Sequence, residues 1–369
     1  MVTAEISWRG GGFPGLGRAK ANLETVRLPI SRYACAALFA VLLGACSGID
    51  RDSAKALGGA GQKATQAMAD QTALAARTTG ALSEWWAVRD TLICINVRAD
   101  LRAGCLNNAA KASSDPDVRL AAAQKQVVEI MSKRSDAAVA LRNAYQAFAN
   151  LATYDAGAET EAALKSAFGA VNDLTKAAAV LSPGLAALSP ISSTFTTVVS
   201  SAGAIVASER QRYLLLVASR DLHRAIDAMI AALTVEWDQA VVTGLLGGLV
   251  NERVAVYTGL VHSGVITPAE ALTPLLAEIA PGAKASPQAN SDVVRAAAVA
   301  SIQQRARQEE AAVKSTYEAT LAAFRALSAE HRRLENDKSV DVSSILAQSQ
   351  RIEAIAKAVF KKQEKAGSQ

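Results

Sequence analysis

The chain has 369 residues, half of them hydrophobic but only 5% aromatic, so any core must be close-packed from small side chains. Lysine and arginine number 39 against 34 acidic residues, an excess too small to support nucleic-acid binding. Three histidines and four cysteines narrow the scope for acid-base, nucleophilic and metal chemistry at the outset.

The first 25 residues are glycine-rich, and their GGGFPGLG stretch follows no strand pattern and opens no helix, which excludes a phosphate loop. The apolar run from Tyr33 to Leu43 is too short for a bilayer core, which takes about 20 residues. It has the length of a signal-peptide core, with Arg27 and Arg32 as its positive flank. The run closes on Leu43-Gly44-Ala45-Cys46, which resembles the lipobox of bacterial lipoproteins. That resemblance implies that residues 1–45 are a cleaved N-terminal extension and signal peptide. Cys46 then carries diacylglycerol and a further acyl chain such as palmitate, and joins the protein to the membrane. Ser47 stands where retention at the inner membrane would often show Asp, so the resemblance favours the inner leaflet of the outer membrane, facing the periplasm. Removal of 1–45 leaves 34 basic and 32 acidic side chains, a nearly neutral mature protein.

Residues 46–62, with Gly48 and GGAG, read as a lipidated flexible tether, and 63–369 as a single helical domain. Leu74, Leu82, Trp85 and Leu92 mark the apolar face of a first long helix ending near Cys94. Cys35 lies in the signal and Cys46 is used by lipid, which leaves Cys94 and Cys105 to pair in an oxidising periplasm. On one continuous helix they would sit about 16 Å apart, beyond bonding reach. A disulfide therefore requires a turn, and CINVRADLRAGC supplies one through its β-branched residues, Asn96 and Gly104, predicting a stapled helix-to-helix corner.

Asp115-Pro116 predicts a helix start. From there Leu120, Val127, Met131, Ala138, Leu141, Tyr145, Phe148 and Ala152 form a coiled-coil-like seam interrupted by Gln124 and Arg134. Gly157 breaks the pattern, which resumes until Ser182-Pro183-Gly184. A further segment runs from about 193 to 262, with Leu222, Ile226, Met229 and Leu233 on one stripe and a bend expected at Gly247-Gly248. Thr267-Pro268-Ala269-Glu270 is a capping box opening a short helix to about Ile279. After the PGAKASPQANS loop come two last helices, about 291–336 and 340–365, the first seamed by Val299, Ile302, Ala306, Val313, Tyr317, Phe324, Leu327 and Leu334. The expected fold is all-α, an extended antiparallel bundle of long helices with coiled-coil-like seams.

His223 with Asp227, and His331 with Glu335, are each four apart and so could face one ligand, but neighbouring arginines oppose a cation and no Glu-x-x-His motif occurs. Interhelical hydrogen bonding is the expected role of both histidines, at the seam edges. Trp85-Trp86 reads as a core cap and the C-terminal KKQEK as a solvated helix end. The charge-free segment 177–208 reads as a buried turn and helix start, or alternatively as a membrane-seeking or apolar-ligand-binding element. No catalytic set, cofactor, metal or small-molecule substrate is expected. The sequence points to a non-catalytic, lipid-anchored scaffold that binds an envelope protein or itself, with a membrane-active or apolar-ligand-binding bundle that uses segment 177–208 as the alternative.

Overall fold

Small and aliphatic side chains at helical spacing, punctuated by clustered turn residues, produce nine α-helices and no strand among the described residues. The computed structural model describes residues 49–95, 97–114, 122–154, 156–188, 190–195, 207–237, 247–279 and 291–367. The helices are α1 (Arg51–Ile95), α2 (Ala99–Ser114), α3 (Ala122–Thr153), α4 (Gly157–Ala178), α5 (Ala207–Glu236), α6 (Gly247–His262), α7 (Pro268–Ile279), α8 (Asp292–Glu335) and α9 (Ser343–Gly367), with a 3-10 turn at Pro183–Leu188. Residues 48–369 pack as one unit. The fold is the all-α bundle of long helices that the seams predict.

The seams carry the core. Val127, Met131, Ala138, Leu141, Tyr145, Phe148 and Ala152 of α3 are buried, as are Ile302, Ala306, Val313, Tyr317, Phe324, Leu327 and Leu334 of α8. The stripe of α5 joins the same core through Leu222, Ile226, Met229 and Leu233. Helix directions follow from which residues meet. Gly58 and Gly61 of α1 face Ala149 and Tyr145 of α3, while Thr72 meets Arg134, so α1 and α3 are antiparallel. Ser219 and Asp227 of α5 meet His331 and Ser328 of α8, and Trp237, just past the end of α5, stacks on Tyr317, again antiparallel.

The expected flexible tether is corrected by the structure: from Arg51 onward it is helix. Ile49, Ala54, Leu57, Ala60 and Ala64 are all buried. The reason lies in the glycines, which serve a close helix crossing rather than a loose chain. A Cβ added at Gly58 would stand 2.8 Å from Cβ of Ala149 and 3.1 Å from its backbone, and one at Gly61 would overlap the Tyr145 ring. Gly59, one residue away, would meet nothing within 4 Å. Gly59→Ala should therefore raise stability by about 0.5–1 kcal/mol through helix propensity. Gly58→Ala should lower it by about 1–3 kcal/mol through overpacking. Urea titration of the two variants checks this, and equal shifts would contradict the close crossing.

The stretch predicted as continuous from 193 to 262 is described as two helices, α5 and α6, and residues 196–206 and 238–246 lie outside the described part. Gly247-Gly248 open α6 instead of bending a longer helix. The capping box forms as expected: the Thr267 N–H donates to Oε2 of Glu270 at 2.7 Å, and the Glu270 N–H to Oγ1 of Thr267 at 3.1 Å. The predicted cap at Asp115-Pro116, the 280–290 loop and the lipobox with Cys46 lie outside the described residues.

The stapled corner is present. After Ile95 the chain turns and returns as α2, and Cys94 and Cys105 are joined by a disulfide with their Cα atoms 5.5 Å apart. Since α1 has 45 residues, it spans about 67 Å between its first turn and this corner.

Candidate functional site

The side chains with chemical potential gather in three buried polar layers, all touching α5. The first is built around histidines. His331 of α8 is fully buried, with Nδ1 2.8 Å from Oγ of Ser219 on α5 and Nε2 2.8 Å from the hydroxyl of Tyr145 on α3. A neutral imidazole donates from one nitrogen and accepts at the other, so the two hydroxyls satisfy the ring completely. Burial, with the nearby His223, pushes its pKa down to about 3 and keeps it neutral. His223 stacks on it at 6.2 Å between centroids, and lies 3.1 Å from Oε1 of Glu335 and 3.4 Å from Oδ2 of Asp227.

The structure thus unites the two predicted His–carboxylate pairs in one cluster. His331, between Leu327 and Leu334, is central in the seam instead of at its edge, and only His223 keeps an edge position, 13% exposed. Nε of Arg332 donates to Nε2 of His223 at 3.0 Å, placing a guanidinium where a bound cation would have to approach. Among the described residues, no group of three or more His, Cys, Asp or Glu is arranged to hold a metal ion.

The second layer explains the break in the α3 seam. Arg134 is wholly buried and pairs with Glu236 at the end of α5, Nη1 to Oε1 2.9 Å, with both side chains at most 1% exposed. The same Nη1 lies 2.8 Å from the Tyr317 hydroxyl, and Nε donates to Oγ1 of Thr72 at 2.9 Å. Thr72 in turn donates to the Met68 carbonyl at 2.7 Å. Burial works to lower the Arg134 pKa, but Glu236 and Tyr317 outweigh it and hold it above the ordinary value. The Tyr317 hydroxyl is pushed well up, by burial first and then by Glu236. Tyr317 is also stacked on Trp237, centroids 4.7 Å apart, and lies under the guanidinium at 5.0 Å. Nη2 of Arg134 makes no hydrogen bond within the protein.

The third layer pins the described part of the charge-free segment. The amide of Asn172 on α4 pairs with both backbone groups of Ile191, at 2.8 and 2.9 Å. The buried carboxylate of Asp221 accepts from Oγ of Ser193 at 2.6 Å, from Oγ1 and N–H of Thr194 at 2.9 Å, and from the N–H of Phe195 at 3.2 Å. Arg224 pairs with it from the same helix. Phe195 is fully buried beside this latch. Residues 196–206, the side chains of Trp85 and Trp86, and those of the KKQEK stretch lie outside the described part.

Sequence reasoning missed Glu236, Asp221 and Ser219 as partners. Glu236 was accessible: it falls three residues after Leu233 on the α5 stripe, as Arg134 falls three after Met131. Opposite charges on two apolar stripes must find each other or remain costly. Beyond Arg224 three residues on, no such rule selects the partners of Asp221, because they are backbone N–H groups and hydroxyls 26 to 28 residues earlier.

Two grooves, of about 370 and 440 Å³, flank α6 and share Thr258 and His262. No described helix is long and apolar enough to cross a membrane. No family model, curated protein or solved structure matches the chain.

Proposed function

We propose that the protein is a non-catalytic helical scaffold, lipid-anchored through Cys46 to the outer membrane and facing the periplasm, which binds an envelope protein or another copy of itself along its exposed faces. The observation that carries this reading is the employment of its reactive side chains. His331, Arg134 and Glu236 are buried and engaged in joining helices, Asp221 is buried and holds residues 193–195 against α5, and His223 lies between two carboxylates and an arginine. Such groups fix helix register and do not present a reactive atom to a substrate. The pinning of Ser193, Thr194 and Phe195 on Asp221 further favours a structural role for that part of the charge-free segment. An anchor at Cys46 would enter close to the first turn of α1, since only two residues separate it from Ile49. An upright bundle would then present the disulfide corner about 67 Å away.

Growth with a clickable fatty acid tests the anchor. The wild type should be labelled and sediment with membranes, and Cys46→Ala should lose both properties. Crosslinking of intact envelopes followed by affinity capture should then recover a reproducible protein partner or a self-crosslinked dimer. Equal membrane retention of the Cys46→Ala variant would contradict the anchor, and crosslinked samples containing only monomer would contradict the scaffold.

A further inference from the structure

We infer that α2 is a strap held against the bundle by the Cys94–Cys105 bond, and that a dithiol reductant sets it free. The argument starts with what α2 lacks. Its sequence ADLRAGCLNNAAKASS has no continuous apolar stripe, and it contains Gly104 and two asparagines, which are poor helix formers. Between residues 99 and 111 only Cys105 and Ala109 are less than exposed. Its two leucines face solvent, Leu101 57% and Leu106 40% exposed. Arg98 bonds Asp100 and Arg102 reaches the Val97 carbonyl, contacts internal to the corner that do not tie it to the rest of the bundle.

A helix of 16 residues is marginal in water on its own. Between residues 99 and 111 Ala109 alone is buried, a small return against the entropy of fixing those residues. The bridge changes that balance by keeping α2 beside α1 even when its other contacts open. Cys94 is almost completely buried, at 1%, whereas Cys105 is partly accessible, so the two sulfurs differ in reach. A thiolate of the reductant attacks Sγ of Cys105, the S–S bond breaks, and Cys94 leaves as a thiolate that takes up a proton. The second thiol of the reductant then attacks the mixed disulfide and releases Cys105, also protonated. The reductant departs as its own disulfide, having supplied two electrons. With the strap open, Cys94, the one buried residue between positions 88 and 94 of α1, loses its cover.

The test uses the mature full-length chain, oxidised or treated with dithiothreitol, and reads hydrogen exchange and alkylation together. Reduction should speed exchange of residues 99–114 on the order of 100-fold, the scale expected for losing so short a closed loop. Cys94 should become alkylatable while α3, α5 and α8 keep their protection. Cys105→Ser should show the same exchange pattern without reductant. Continued protection of 99–114 with Cys94 still shielded after reduction would overturn the inference. So would loss of protection throughout α3, α5 and α8 at the same time, since the bridge would then staple the whole bundle.

Discussion

Arg134→Met is expected to destabilise the protein by about 3–5 kcal/mol, the usual consequence of leaving one charge buried without its partner. The carboxylate of Glu236 would remain 1% exposed, opposite a thioether that cannot donate to it. Thr72 and Tyr317 would also lose their contacts with the guanidinium. Removing both charges should behave differently. The Arg134→Met, Glu236→Gln double variant replaces a pair whose Nη2 has no protein partner, and should recover most of the lost stability. Urea unfolding of the two single variants and the double variant measures this coupling. Additive losses would contradict a mutually dependent pair. If the pair's chief effect is register, the double variant should stay folded yet lose cooperativity of unfolding, seen as a smaller urea slope.

Acidification should weaken the bundle through His331. Its folded pKa is about 3, against roughly 6.5 for a free imidazole. Between those values the unfolded chain holds a proton that the folded chain excludes, so stability falls as pH falls. The slope from this one group is about 1.4 kcal/mol per pH unit. His331→Gln retains hydrogen-bonding groups for Ser219 and Tyr145 but does not titrate. From pH 6.5 to 4.5 the wild type should lose roughly 2–3 kcal/mol more than the variant, and carboxylates common to both cancel in the comparison. Parallel stability curves would show that His331 charges freely in the folded state.

The long elements were legible because their seams repeat over many turns: Val127 to Ala152 and Ile302 to Leu334 lie where the spacing puts them. The corner was legible because two cysteines eleven residues apart cannot bond across a straight helix. The start of α1 was misread because glycine has two opposite uses. Gly58 and Gly61 look like linker residues until Ala149 and the Tyr145 ring are placed against them, and no local pattern reveals a neighbour almost ninety residues away. The polar layers were half legible, since Arg134 and the histidines stood out by type. Their partners did not, because Ser219 and Tyr145 become special only after α3, α5 and α8 assemble around His331.

The close crossing of α1 and α3 also has a mechanical meaning. A load applied to the chain at Ile49 meets no slack, because that residue is already buried and helix begins at Arg51. With Gly58 and Gly61 seated against α3, pulling along α1 slides the two helices past one another and strains their contacts in parallel. A flexible leash would instead lengthen first and then peel the end turn away, one contact at a time. Shear distributes the force over the interface and peeling concentrates it, so traction at Ile49 should be resisted by the whole α1–α3 crossing and not by its end turn alone.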